Sequence, residues 1–105
     1  MGECNIDVHP GVCKLKTNIK AKLNDEWKVV FDVESDCPNV MKLAEMLGPM
    51  DPMKNICVKF SESDVYREAD DTIKHTACPV PCAMIKAIEV ASEMGLKRDV
   101  LIEIK

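Results

Sequence analysis

Cys13-Lys14-Leu15-Lys16-Thr17-Asn18-Ile19-Lys20-Ala21-Lys22-Leu23 alternates without a break. Cys13, Leu15, Thr17, Ile19, Ala21 and Leu23 fall on one side, and four lysines and Asn18 fall on the other. A period of two is that of a β-strand, here half-buried with a lysine-coated outer face. Asn24-Asp25-Glu26 interrupts the pattern, and a second alternation follows. Trp27, Val29, Phe31, Val33 and Ser35 share one face, opposite Lys28, Asp32 and Glu34, and only Val30 is out of place. Two such strands in succession predict an antiparallel hairpin.

The apolar residues of both strands carry odd numbers, and cross-strand partners must lie on the same face, so paired numbers must sum to an even value. A two-residue loop is thereby excluded. Centring the turn on Asp25 pairs Leu23 with Trp27, Ala21 with Val29 and Ile19 with Phe31. Continued to the open end, it pairs Cys13 with Cys37. Directly opposed residues have Cβ atoms roughly 4.5–5.5 Å apart, so two cysteines are expected to meet on the core-facing side.

Downstream, Cys37-Pro38-Asn39 opens a helix whose stripe is Val40, Met41, Leu43, Ala44 and Leu47, ended by Gly48-Pro49. Ile56, Val58 and Phe60 alternate as a short strand would, with Cys57 on the opposite side. Ser61 or Ser63 can cap a helix over about Asp64 to Lys74, with Val65, Tyr66, Ala69 and Ile73 inward. His75-Thr76-Ala77-Cys78-Pro79-Val80-Pro81-Cys82 then leads into a last helix. Cys78 is expected at its N-cap with Pro79 at the first helical position. Unpaired backbone N–H groups and the helix dipole would there favour the thiolate. Cys82, Ile85, Ile88, Ala91 and Val90 form the expected buried stripe, and Gly95 ends it. Val100, Ile102 and Ile104 predict a terminal strand. Upstream, Met1 to Gly11 shows little periodicity, His9-Pro10-Gly11 reads as a turn, and Cys4 as an incidental thiol in a loose terminus.

The fold class this implies is α+β: a small antiparallel sheet, built from the hairpin plus further short strands, with about three helices on one face. At 105 residues the chain is expected to form a single cysteine-rich domain. Its net charge of −4, with no basic stripe interleaved with aromatics, argues against nucleic acid as a partner. No apolar run approaches membrane-spanning length, and no signal-peptide h-region opens the chain, so a cytoplasmic location is expected. Thiols stay reduced there, and clustered cysteines then point to metal or redox chemistry. The seven methionines, Trp27 and Phe31 read as core, and Glu68 to Asp71 as a solvated helix face.

Cys13, Cys37 and Cys78 each stand at the tip of an element, two of them in a Cys-Pro context. Soft ligands converging from separate segments suit zinc or an iron–sulfur cluster. Cys82, one helical turn below Cys78, and Cys57, from a separate loop, are candidates to complete the set, with His75 a third. There is no CxxC pair, Gly-rich phosphate loop, nucleophile elbow or HExxH, so no reaction can be named. Two other readings stand beside metal binding. One is a thiol redox protein or sensor using Cys78 with a resolving cysteine. The other is a non-catalytic interaction module whose cysteines are core.

The order Gly11-Val12-Cys13, two strands, Cys37-Pro38-Asn39, then Thr76-Ala77-Cys78-Pro79 resembles the TSCPD cysteine domain. Its layout is similar to the iron–sulfur cluster scaffolds of the NifU N-terminal and IscU type. The sequence overall resembles a family of uncharacterised small archaeal proteins, in which Ala77 to Pro81 and the helix after it stand out. The resemblance runs from about Gly11 to Met94 and rests on the cysteine contexts. It implies an IscU-like fold in which Cys13, Cys37 and Cys78 hold zinc or an iron–sulfur cluster, as a scaffold or carrier with a protein partner. The chain departs from the scaffolds in having Leu15 where they carry an aspartate and in placing His75 three residues before Cys78.

Overall fold

The computed structural model describes residues 2–105. Three strands form one antiparallel sheet in the order β1 (Glu3–Val8), β2 (Thr17–Leu23), β3 (Val29–Ser35). Four helices follow: α1 (Pro38–Met46), α2 (Met53–Ile56), α3 (Asp64–Thr72) and α4 (Val80–Ala91). The fold is α+β.

The two alternating stretches do pair, and the odd-numbered residues do face inward. Ile19 and Val29 are fully buried, while Lys20, Lys22, Asp32 and Glu34 are exposed. The register, however, is two residues away from that expected: Leu23 pairs with Val29, Ala21 with Phe31, Ile19 with Val33 and Thr17 with Ser35. A one-residue slip would turn the core face to solvent, but a two-residue slip preserves it, so the hydrophobic pattern cannot choose between these registers. The turn chooses. Asn24 N–H donates to Lys28 O at 2.8 Å, and Trp27 N–H donates to Asn24 O at 3.1 Å. The Asn24 side-chain oxygen accepts from the N–H groups of Glu26 (2.9 Å) and Lys28 (3.0 Å). The result is a three-residue loop whose last residue takes the left-handed conformation, and that residue is Trp27, at φ +59°. Trp27 is consequently 43% exposed instead of buried in the hairpin core, and Phe31 is only partly buried.

The N-terminal stretch, expected to be loose, is a strand. Cys4, Ile6 and Val8 pair with Ala21, Ile19 and Thr17, and Cys4 is a buried core thiol, 7% exposed. Outside, the Asn18 amide donates to Asn5 Oδ1 (2.6 Å) and Asp7 Oδ1 (2.8 Å). These polar residues have low strand propensity, which masks a real alternation in the sequence.

Residues 51–63 form a short helix and a 3₁₀ turn, not a strand. Asp51 Oδ1 accepts from Met53 N–H at 3.0 Å, starting α2, and a 3₁₀ turn covers Phe60–Glu62. Val58 and Phe60 are exposed. The segment is organised by buried Asn55, whose amide donates to Asp51 O and Asp64 Oδ2 and whose oxygen accepts from Ser63 Oγ and Val65 N–H. Ser63, one of the two expected caps, is the N-cap of α3. Just before this segment, Met50 and Val29 exchange two backbone hydrogen bonds of 2.8 Å, occupying one end of the β3 edge.

Two of the helices pack directly on the inner face of the sheet, and the other two pack against helices. α4 packs on β1 and β2, α1 packs on β3, and α3 lies between α1 and α4. Leu43, Val65, Met84 and Ile88 are fully buried at their junction. Beyond α4, Glu93 is left-handed (φ +64°), and the N–H groups of Met94 and Gly95 donate to Glu89 O. A Cβ on Gly95 would come 2.9 Å from Glu89 Cβ, so glycine is required there. The expected terminal strand over Val100 to Lys105 does not form: these residues are exposed and unpaired.

Candidate functional site

Cys13 and Cys37 flank the end of the sheet where β2 begins and β3 ends, and Cys78 lies within electrostatic reach of both. Cys37 is the N-cap of α1, in extended conformation, with Pro38 following as expected. Its backbone N–H donates to Ser35 Oγ at 3.0 Å, and that hydroxyl is 2.7 Å from Thr17 Oγ1. The chain entering α1 is thus held through side-chain hydroxyls on β2 and β3. The thiol makes no cap hydrogen bond and is half-buried. Sequence reading missed Thr17 and Ser35 as supports; the Ser-x-Cys spacing was the signal.

Cys13 lies on a tight turn before β2, with Lys14 N–H donating to Gly11 O at 3.0 Å. Gly11 (φ +88°) and Lys14 (φ +58°) are both left-handed. The expected Cys13–Cys37 strand pair is absent because pairing stops at Thr17 and Ser35, leaving Cys13 exposed.

Cys78 is half-buried, its N–H donating to His75 O at 3.0 Å. It is not the N-cap of α4. Pro79 is, at φ −79° and ψ −7°, with Pro81 in the first turn. Both prolines fall where a helix has no use for an N–H donor, so the pair allows the helix to begin at Val80. Cys78 is therefore one residue outside the helix. Burial pushes its thiol up from the ordinary range, a backbone hydrogen bond from Val80 draws it down, and charges on Cys37 and Cys13 push it up again. The expected shift toward thiolate is overturned. These couplings also place Cys37 and Cys13 within electrostatic reach of Cys78.

The remaining candidates stand apart. Cys82 is exposed because Val80, Pro81 and Met84 take the inward positions of α4, and its charge acts on Tyr66. Cys57, at the C-cap of α2, and His75 are exposed. Cys4 is remote from this end, beside Lys97, with its thiol pushed up by burial. All six cysteines are free, and among the described residues no three His, Cys, Asp or Glu side chains are close enough to hold a metal ion. No helix among the described residues is long and apolar enough to cross a membrane.

Fold and site together define a small α+β domain with a thiol-bearing end and no disulfide. The chain matches the model of DUF6951, a family of unknown function, over residues 4–104, and belongs to that family. The match brings no TSCPD or NifU-type family with it. No curated protein and no solved structure matches the chain.

Proposed function

We propose that this protein binds a metal ion or iron–sulfur cluster through Cys13, Cys37 and Cys78. What carries the reading is where the three cysteines stand: on the turn before β2, at the N-cap of α1 just after β3, and on the loop before α4. The Cys37 sulfur makes no cap hydrogen bond, and the Cys78 sulfur accepts one from the Val80 backbone N–H. The likeness of their contexts to TSCPD and NifU-type cysteines supports the same reading. Ligation requires deprotonated sulfur, so a cation would supply the stabilisation that burial withholds from Cys78. It also requires the Gly11–Lys14 turn to carry Cys13 inward from its exposed position. Cys57 and Cys82 are the candidates for a fourth ligand, and either would have to move toward the three, since both stand apart and exposed.

A fourth thiolate would make a zinc site closed and structural, whereas three thiolates with an open position would suit cluster carriage. A metal-free redox role for Cys78 is the weaker alternative, because a half-buried thiol pushed up from its usual range is a poor attacking group at neutral pH.

The test is metal and acid-labile sulfide analysis of protein purified without air, with its ultraviolet–visible spectrum. Expected is near-stoichiometric zinc, or iron with sulfide and visible absorption, lost in Cys13→Ser, Cys37→Ser and Cys78→Ser but retained in Cys4→Ser. Folded, reduced protein with no metal overturns the proposal.

A further inference from the structure

Residues 100–105 keep a strand's apolar alternation without forming one. Val100, Leu101, Ile102 and Ile104 are 61, 76, 77 and 95% exposed, and Val100, Ile102 and Ile104 keep a period of two. Among the described residues, no backbone hydrogen bond is made from Asp99 onward. The DUF6951 match runs to residue 104, so this segment belongs to the family's own extent.

The same chain carries an unused edge. β1 pairs with β2 on one side only. Leu23 N–H donates to Gly2 O at 3.0 Å, which places the even-numbered residues of β1 in the hydrogen-bonded pairs with β2. By antiparallel alternation, Glu3, Asn5 and Asp7 then turn their N–H and C=O groups to the open side. Such an edge is a template for another strand. The β3 edge is the poorer template, since Met50 already occupies its Val29 end.

We infer that the C-terminal segment of one copy adds as a strand to the β1 edge of a second copy, and the reverse, giving a two-fold dimer by strand exchange. Each copy supplies both the apolar strand and the free edge, so the interface is self-complementary, as two-fold symmetry demands. Strand addition gives the segment backbone partners and apolar cover, neither of which it has in one copy. Charge is compatible: β1 carries two acids and no base, whereas the pairing segment 100–105 carries one acid, Glu103, and one base, Lys105. The segment leaves the body close to β1, with Lys97 beside Cys4, yet it does not pair with its own edge.

Sedimentation velocity on the metal-free full chain tests this, alongside I102D/I104D, whose positions are exposed in the single copy and so leave its fold intact. Expected is a dimer for the native chain and a dissociation constant about 100-fold or more weaker for the variant, with unchanged circular dichroism. Amide exchange gives the second readout: the Asn5 and Asp7 amides should be protected in the dimer and labile in the variant. A native chain that stays monomeric overturns the inference. A monomer with protected Asn5 and Asp7 amides, meaning closure on its own edge, overturns it too. So does a variant that dimerises as tightly as the native chain.

Discussion

Ile19, Val29, Leu43, Met84 and Ile88 are fully buried, whereas Cys13, Cys57 and Cys82 stand in solvent and Cys37 and Cys78 are half-buried. The interior is a conventional sheet-and-helix core, in which every position is constrained by its neighbours. The cysteine end is held instead by loops, caps and two prolines. Cys4 makes the contrast plain. It is the one buried cysteine, and it lies away from the other candidate thiols, inside the sheet–α4 interface. Cysteine thus serves in more than one way here: as a small apolar filler at Cys4, as half-buried thiols at Cys37 and Cys78, and as exposed thiols at Cys13, Cys57 and Cys82.

The contrast can be broken by substitution. Ile88→Ala, at a fully buried position on α4, should cost about 2–5 kcal/mol, read from urea unfolding of the metal-free protein. A loss under about 1 kcal/mol would mean that α4 is not packed as described.

A matched pair of cysteine substitutions sharpens it. Cys4→Ser places a hydroxyl in the core and should cost about 1–3 kcal/mol. Cys13→Ser, on an exposed turn, should change the metal-free stability by no more than about 0.5 kcal/mol. Equal costs would erase the distinction between filler and site.

The smallest effect is one of pH. Burial raises the Cys4 and Cys78 thiols above their unfolded value. The stability they contribute is therefore fully present below the unfolded thiol pKa of about 8.5. It is lost as pH rises through the higher folded values, because the unfolded chain releases those protons first. Metal-free protein should thus weaken on the alkaline side, measured as a falling urea midpoint. Cys4→Ala with Cys78→Ala should flatten that fall. A midpoint that rises with pH across this range would contradict the burial of both thiols.

Much of the fold was legible because periodicity reports burial directly. The alternation through Leu23 and Val33 identified the hairpin, its inward face and the parity of its register. The Cys37-Pro38 start of α1 and the Ser63 cap of α3 were legible for local reasons: an N-cap is a property of a few adjacent residues. The β1 strand was readable in principle, since Cys4, Ile6 and Val8 alternate with Glu3, Asn5 and Asp7, but a short strand with weak formers gives little signal on its own.

What the sequence by itself determined, then, is which residues can face inward and where helices can begin, because both follow from spacing and from the chemistry of neighbouring residues. The tertiary structure alone decided what depends on a distant partner. It also shows the local Asn24 turn settling a register that the alternation left open, which moves Trp27 outward and dissolves the Cys13–Cys37 pair. It used Met50 to occupy one end of β3 and folded residues 51–63 around Asn55. It turned Cys82 away from Cys78 by giving the inward positions of α4 to Val80, Pro81 and Met84. Each of these last outcomes compares two locally acceptable arrangements, and only the packing of the whole chain separates their energies.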